Sequence, residues 1–361
     1  MRAPSCGAAR FRRQGRTRKL VRSMRLPIAL LASAALLAPA GAHAAVTPPP
    51  PTGPAPVGLQ RLTLTDHHRR ERLAPGGGPR LIPLRVWYPA ARPGSAPGQV
   101  LTPTEQSTYE SIFELPARAL DGIGSTTTTA APPAAGKHPV VLLSPGWGNT
   151  SGLHNAQASD LASHGYVAIG IDHPGDTVAV DAGARHILKM NPAGEKIQNK
   201  SAVQRVADVR YVLHHLGAIH RAGSLDRRRI GAYGHSMGAR ATATAMYYEP
   251  SIRAGVNLDG LADEPVLSHG LDQPYAIGSG VHAPDAGHML DKIVAQLRRH
   301  LRGPHPMRIF ATTEHAGFTD NVWLVPQLGL PTEGQELGSV TPTAAVFGQR
   351  SFLRGFFDRY L

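Results

Sequence analysis

Apolar positions along the chain follow two spacings. The runs "HPVVLLS" (138–144) and "YVAIGID" (166–172) are unbroken, strand-length and without a polar face. Such runs predict strands covered on both sides, as in a parallel sheet. "LQRLTLTD" and "RLIPLRVWYPA" alternate and are rich in β-branched or aromatic residues, so they predict two earlier strands. "RRIGAY", "AGVNLD", "PYAIGSG" and "MRIFAT" predict four later ones. Between them the spacing changes to three and four. "HNAQASDLASHG", "SAVQRVADVRYVLHHLGAI", "MGARATATAMYY", "LDKIVAQLRRHL" and "TAAVFGQRSFLRGFFDRYL" therefore predict helices. A further helix is expected over about 104–120, and an irregular stretch over 174–200. Strands alternating with helices imply an α/β class: a mostly parallel, doubly wound sheet with helices on both faces. There is no internal repeat, and one domain over 58–361 is the simplest division.

Two segments stand apart from this rhythm. Residues 1–44 have a basic start, an apolar run and a small-residue end at Ala42, His43 and Ala44. That layout predicts a secretory signal peptide cleaved near Ala44, with Met24 as an alternative start. The apolar run is short for a membrane-spanning helix and meets Pro39. "VTPPPPTGPAPVG" follows, and residues 45–57 predict an extended Pro-rich linker. "DGIGSTTTTAAPPAAGKH" predicts a surface loop.

Charge changes the picture only briefly. The whole chain of 361 residues carries a formal +13. Residues 1–44 hold nine Arg and Lys and no acid, which leaves +4 on the remainder. A nucleic-acid partner is therefore not expected. The single cysteine, Cys6, also falls in that segment, so neither a Cys nucleophile nor a disulfide is expected after its removal.

The chemistry sits where the strands end. In an open α/β sheet, ligands bind beyond the carboxyl ends of the strands. "GHSMG" (234–238) lies between a predicted strand and a predicted helix, and fits the nucleophile elbow G-x-S-x-G. Ser236 then needs a base, and chain order selects His315, which follows the last strand in "TTEHAGFTD". His305 precedes that strand, and His214, His215, His288 and His300 fall on helices. The acid that orients the base is Asp259, at the end of "AGVNLD", or Asp285, one strand later. Asp285 also reads as a helix cap. Two backbone amides are needed for the oxyanion. Met237 follows the nucleophile, and Trp147 lies in the glycine-rich loop "SPGWG" after an early strand. Asp172 and His173 sit at another strand end, where a structural hydrogen-bonding role is expected for them. No metal-ligand spacing such as H-E-x-x-H is present, so neither a metal nor another cofactor is expected.

At these residues the sequence resembles a known group. "VVLLSPGWGNTSGLHNAQASDLASHGYVAIGIDHPGD", "RIGAYGHSMGARAT", "AGVNLDG" and "HAGFTD" are similar to segments of the plasma and type II platelet-activating-factor acetylhydrolases and their bacterial dienelactone-hydrolase-like relatives. The order is the same, the gaps are similar, and the resemblance covers roughly residues 80–325. It implies an α/β-hydrolase fold, a Ser236–Asp259–His315 triad, and oxyanion donors at Trp147 and Met237. The implied activity is a secreted serine esterase acting on esters, lipid esters included, with short or truncated acyl chains. The group's usual acid position favours Asp259 over Asp285. Two features depart from it: "SPGWG" has no His before its first Gly, and the elbow continues "MGAR" where a second Gly is usual, which brings the bulky cation Arg240 to the start of the helix. Other readings on the same scaffold are a lipase or polyester hydrolase, a peptidase or amidase, and a non-catalytic binding protein. The terminal helix, with Phe352, Phe356 and Phe357, is expected to pack on the sheet rather than to bind membrane.

Overall fold

The alternation that predicts the strands also decides which face each residue covers. In the computed structural model, which describes residues 46–183, 186–219, 223–282 and 284–361, the central sheet runs through eight main strands. These are β1 (Val57–Arg70), β2 (Pro79–Pro89), β3 (Lys137–Ser144), β4 (Val167–Ile171), β5 (Ser224–His235), β6 (Ile252–Leu258), β7 (Tyr275–Ser279) and β8 (Met307–Ile309). Their spatial order is β1-β2-β4-β3-β5-β6-β7-β8, with two-residue strands extending the β1 edge. β2 is antiparallel to both β1 and β4, and every pairing from β4 to β8 is parallel. The segment 1–44 lies outside the described residues.

Helices cover both faces. They are α1 (Pro103–Ile112), α2 (Asn155–Ser163), α3 (Gln198–His214), α4 (Met237–Tyr248), α5 (Pro284–His300), α6 (Asn321–Gln327) and α7 (Pro342–Tyr360). Val140 and Leu142 of β3 point to one core with Val209 and Val212 of α3, Ala243 and Met246 of α4, and Leu297 of α5. Val141 and Leu143 point to the other with Leu161 of α2 and Leu353, Phe356 and Phe357 of α7. All four β3 side chains are fully buried, each contributing about 1.5–3 kcal/mol relative to exposure. Phe356 and Phe357 are thus sheet-packing residues.

Several segments differ from the sequence expectation. α1 stops at Ile112: Glu114 and Arg118 take positive φ of 52° and 67°, and Pro116 lies between them. The stretch 174–200 contains a small hairpin, Ala179–Asp181 against Ile187–Lys189. The Pro-rich segment is tied down along its described part. Arg350 of α7 donates to the Pro49 and Pro50 carbonyls at 2.9 and 2.7 Å, and Thr52 bonds Asp160 through its amide and hydroxyl. Proline offers no N–H, but its carbonyl remains an acceptor, and these arginine donors use it.

Candidate active site

β5 ends at His235, and the next residue turns sharply. Ser236 has φ 55° and ψ −120°, a region that costs a non-glycine residue on the order of 1–3 kcal/mol. The turn is possible because its flanks are bare. A Cβ on Gly234 would lie 2.2 Å from the Gly238 carbonyl carbon, and one on Gly238 would lie 1.9 Å from the Ser144 carbonyl oxygen. The strand, the turn and α4 therefore pack backbone against backbone, which lifts Ser236 to the end of the sheet.

His315 reaches Ser236 from the short 3-10 turn His315–Phe318 after β8. Its Nε2 lies 2.9 Å from Ser236 Oγ, and its Nδ1 lies 2.7 Å from Asp259 Oδ2. A carboxylate only accepts, so Nδ1 carries the proton and Nε2 is left to accept from the serine hydroxyl. Asp259 follows β6 directly, with φ 54°, and its N–H donates to the Gly278 carbonyl at 2.7 Å. The three residues lie 23 and 56 positions apart in sequence, and the parallel strands β5, β6 and β8 bring them together. Asp285 falls in α5, and its side chain lies outside the described residues.

The second carboxylate oxygen of Asp259 is also occupied. Oδ1 accepts from the Gly280 amide at 2.7 Å and from His282 Nε2 at 2.9 Å. Burial alone would raise the Asp259 carboxyl, but the hydrogen bonds from His282 and His315 outweigh it and hold the group well below the usual carboxylate range. The same bond raises the His282 imidazole against the opposing effect of its partial burial. Sequence reading missed His282. Its only signal was its place three residues after the strand β7, shared by much of that loop.

His235 is the other histidine missed. It is buried, its Nε2 donates to the His315 carbonyl at 2.9 Å, and its ring stands 4.7 Å from the His315 ring. Burial first, and then the neighbouring His315 and His154, hold it well below the usual imidazole range, so it is neutral. It props the backbone of the base from behind.

The amides of Trp147 and Met237 find no hydrogen-bond partner among the described residues. Met237 opens α4, where the first N–H groups have no intrahelical acceptor. Trp147 lies in the loop after β3, between Gly146 and Gly148, the latter at φ 77°. His173 is fully buried and bonded to Ser144 Oγ at 2.9 Å and Asp208 at 3.0 Å, away from Ser236. Asp172 accepts from Arg85, Thr150 and the Ser151 amide. Both are structural. Arg240 forms a two-point pair with Asp263 at 2.9 and 2.8 Å. Among the described residues, no group of three or more His, Cys, Asp or Glu is placed to hold a metal ion, and no helix is long and apolar enough to cross a membrane.

No family model matches the chain. The ferulic acid esterase from Streptomyces cinnamoneus superposes with a TM-score of 0.76 at 27% identity, over 88% of this chain and 94% of that one. The fold is that of the α/β-hydrolases. Sequence relatives of this α/β-hydrolase carry esterase and acetylhydrolase names. The probable 1-alkyl-2-acetylglycerophosphocholine esterase of Arthroderma benhamiae is 33% identical over 148 residues, 38% of this chain and 36% of that protein. The platelet-activating factor acetylhydrolase of Canis lupus familiaris is 26% identical over 172 residues, 38% of this chain and 39% of that protein. The aligned part thus spans well under half the length of these curated relatives.

Proposed function

We propose that the protein is a secreted serine esterase that hydrolyses carboxylic esters with short or truncated acyl chains. One observation carries this reading: a strained serine bonded to an imidazole that is bonded in turn to a buried carboxylate. Ser236 Oγ attacks the ester carbonyl while His315 Nε2 takes its proton. Asp259 stabilises the imidazolium that forms. The Trp147 and Met237 amides receive the oxyanion. His315 then protonates the leaving alkoxide, activates a water, and the acyl-enzyme on Ser236 is hydrolysed. No cofactor enters these steps. Residues 58–361 act as the catalytic domain and residues 1–44 as the export signal. The acetyl-ester relatives support the short-acyl preference.

The test is hydrolysis of p-nitrophenyl acetate and butyrate by the wild type and Ser236→Ala. The variant should lose at least about 10³-fold in kcat, since triad members act as a unit. Equal rates would remove the proposal. A second reading is favoured by the ferulic acid esterase likeness: an aromatic hydroxycinnamoyl group in place of the short acyl chain. Methyl ferulate cleaved with a higher kcat/KM than the acetate would select it.

A further inference from the structure

Beneath the loop that carries Trp147 sits a guanidinium with no exposure to solvent. Arg205 of α3 is fully buried. Its Nε and Nη2 bind the Asp176 carboxylate at 2.6 and 2.7 Å, and the Ser201 hydroxyl donates to that same carboxylate. The remaining guanidinium hydrogens go to the loop. Nη1 donates to the Pro145 carbonyl and, at 3.4 Å, to Ser144 Oγ, and Nη2 donates to the Gly146 carbonyl at 3.1 Å. Asp176 closes the arrangement from the other side, because its own carbonyl accepts the Gly148 N–H at 3.0 Å. Both flanks of the Trp147 amide are therefore held by the two residues of one ion pair, the Gly146 carbonyl by the guanidinium and the Gly148 amide by the Asp176 backbone.

The geometry of a peptide gives this fixing a direction. Glu264–Pro265 is the only cis peptide among the described residues, so the Gly146–Trp147 unit is trans. In a trans planar peptide the C=O and N–H point opposite ways. Holding the Gly146 oxygen on Arg205 thus turns the Trp147 N–H away from the buried guanidinium, where it has no partner among the described residues. A charged donor on the carbonyl also polarises the peptide and strengthens its N–H as a donor. An unpartnered, outward-turned amide held on a rigid support is what a developing oxyanion requires.

We infer that Arg205, held by Asp176, is the positioning residue of the oxyanion hole, setting the aim of the Trp147 amide without touching substrate. The inference rests on the esterase reading above. A plain structural staple between α3 and the loop would stabilise the fold equally but would not act selectively on the transition state.

Two variants separate these roles. Arg205→Lys keeps a cation for Asp176, but three donors on one nitrogen cannot replace the guanidinium fork's two bonds to Asp176 together with those to both carbonyls. Arg205→Met/Asp176→Leu removes the ion pair as a pair, an exchange that buried pairs often tolerate. Rates are normalised to sites titrated to completion with a fluorophosphonate, so misfolded protein does not count. Both variants should lose roughly 100-fold in kcat with KM within about twofold, the size expected when a catalytic donor is misplaced. Inhibition by an alkyl boronic acid, which mimics the tetrahedral state, should weaken by a similar factor. Titrated sites with wild-type kcat and wild-type boronate affinity in either variant would overturn the inference. A wild type no faster than Ser236→Ala would instead overturn the esterase reading itself.

Discussion

At the residue scale, the Asp259 carboxylate is shared between two imidazoles, and the partners differ in consequence. His315 faces the serine, whereas His282 faces only the acid, with Glu336 and Asp291 adding weaker attraction to its charged form. Because the folded pKa of His282 is raised above its unfolded value, its contribution to stability is fully present below the unfolded pKa, near 6.5. It is lost as pH rises through the folded pKa. His282→Ala should therefore destabilise the protein more at pH 5.5 than at pH 9, by up to about 1 kcal/mol given its partial exposure. Urea melts at the two pH values measure this, and an equal loss at both would mean that the bond carries no charge. Since Gly280 still holds Asp259 Oδ1, kcat should fall only modestly, by about tenfold or less. Arg240 bears on the question its position raised in the sequence. Its head group is engaged by Asp263 in a partly exposed pair, so Arg240→Ala should cost no more than about 1 kcal/mol. The acyl-length profile on p-nitrophenyl esters should stay unchanged, and a shift toward longer chains would show that Arg240 limits the acyl pocket.

At the scale of the element, the elbow depends on two glycines more than on the serine between them. Gly238→Ala would drive a methyl to 1.9 Å from the Ser144 carbonyl oxygen, a backbone atom that cannot step aside. Moving α4 off β3 should cost at least about 1–3 kcal/mol and most of the esterase rate, read by urea melt and ester assay together. A Gly238→Ala protein with wild-type stability would mean that the close approach is not needed. This region also marks what a sequence can tell. The strand, the elbow and α4 were legible because local period and glycine spacing encode them. His315 was legible because chain order along a parallel sheet places strand ends side by side, whereas Asp259 was legible only as one of two strand-end acids, with the family resemblance favouring it over Asp285. Arg205, His235 and His282 were not. Arg205 reads as one more polar position on an amphipathic helix, and only the packing of α3 beneath the β3 loop carries its side chain 59 residues back to Gly146. The strand β8 is shorter than "MRIFAT" suggests: it ends at Ile309, although the Phe310 amide still donates to the Ser279 carbonyl at 2.8 Å while its ring packs against Phe318 and Phe352.

At the scale of the whole molecule, buried ionisable groups set how stability responds to pH, and they pull in opposite directions. Burial lowers His154 to about 4, and the neutral ring is what the fold tolerates, so unfolding takes up a proton and stability rises with pH through the window from 4 to 6.5. Glu105, which accepts from Arg61 and Arg85, is held at about 2 against the opposing effect of its burial. Its stabilisation is present above pH 4.5 and is lost toward pH 2. Asp320 works against both. Burial raises its carboxyl to about 6, although each oxygen accepts the Ala156 amide at 3.2 Å. Between its unfolded value near 3.8 and its folded value near 6 the native state holds the extra proton, so rising pH removes stability across that window. The loss is on the order of 3 kcal/mol by pH 7. Asn at 320 keeps an acceptor for α2 without an ionisation to suppress. The stability of Asp320→Asn relative to the wild type should be near zero at pH 4 and should grow to about 2–3 kcal/mol in the variant's favour at pH 7. Taking the difference between two proteins at each pH cancels His154, Glu105 and every other group they share. A difference that stays constant from pH 4 to 7 would show that the Asp320 carboxyl ionises without penalty, and that the pairing of α2 with the loop after His315 is held by its charge.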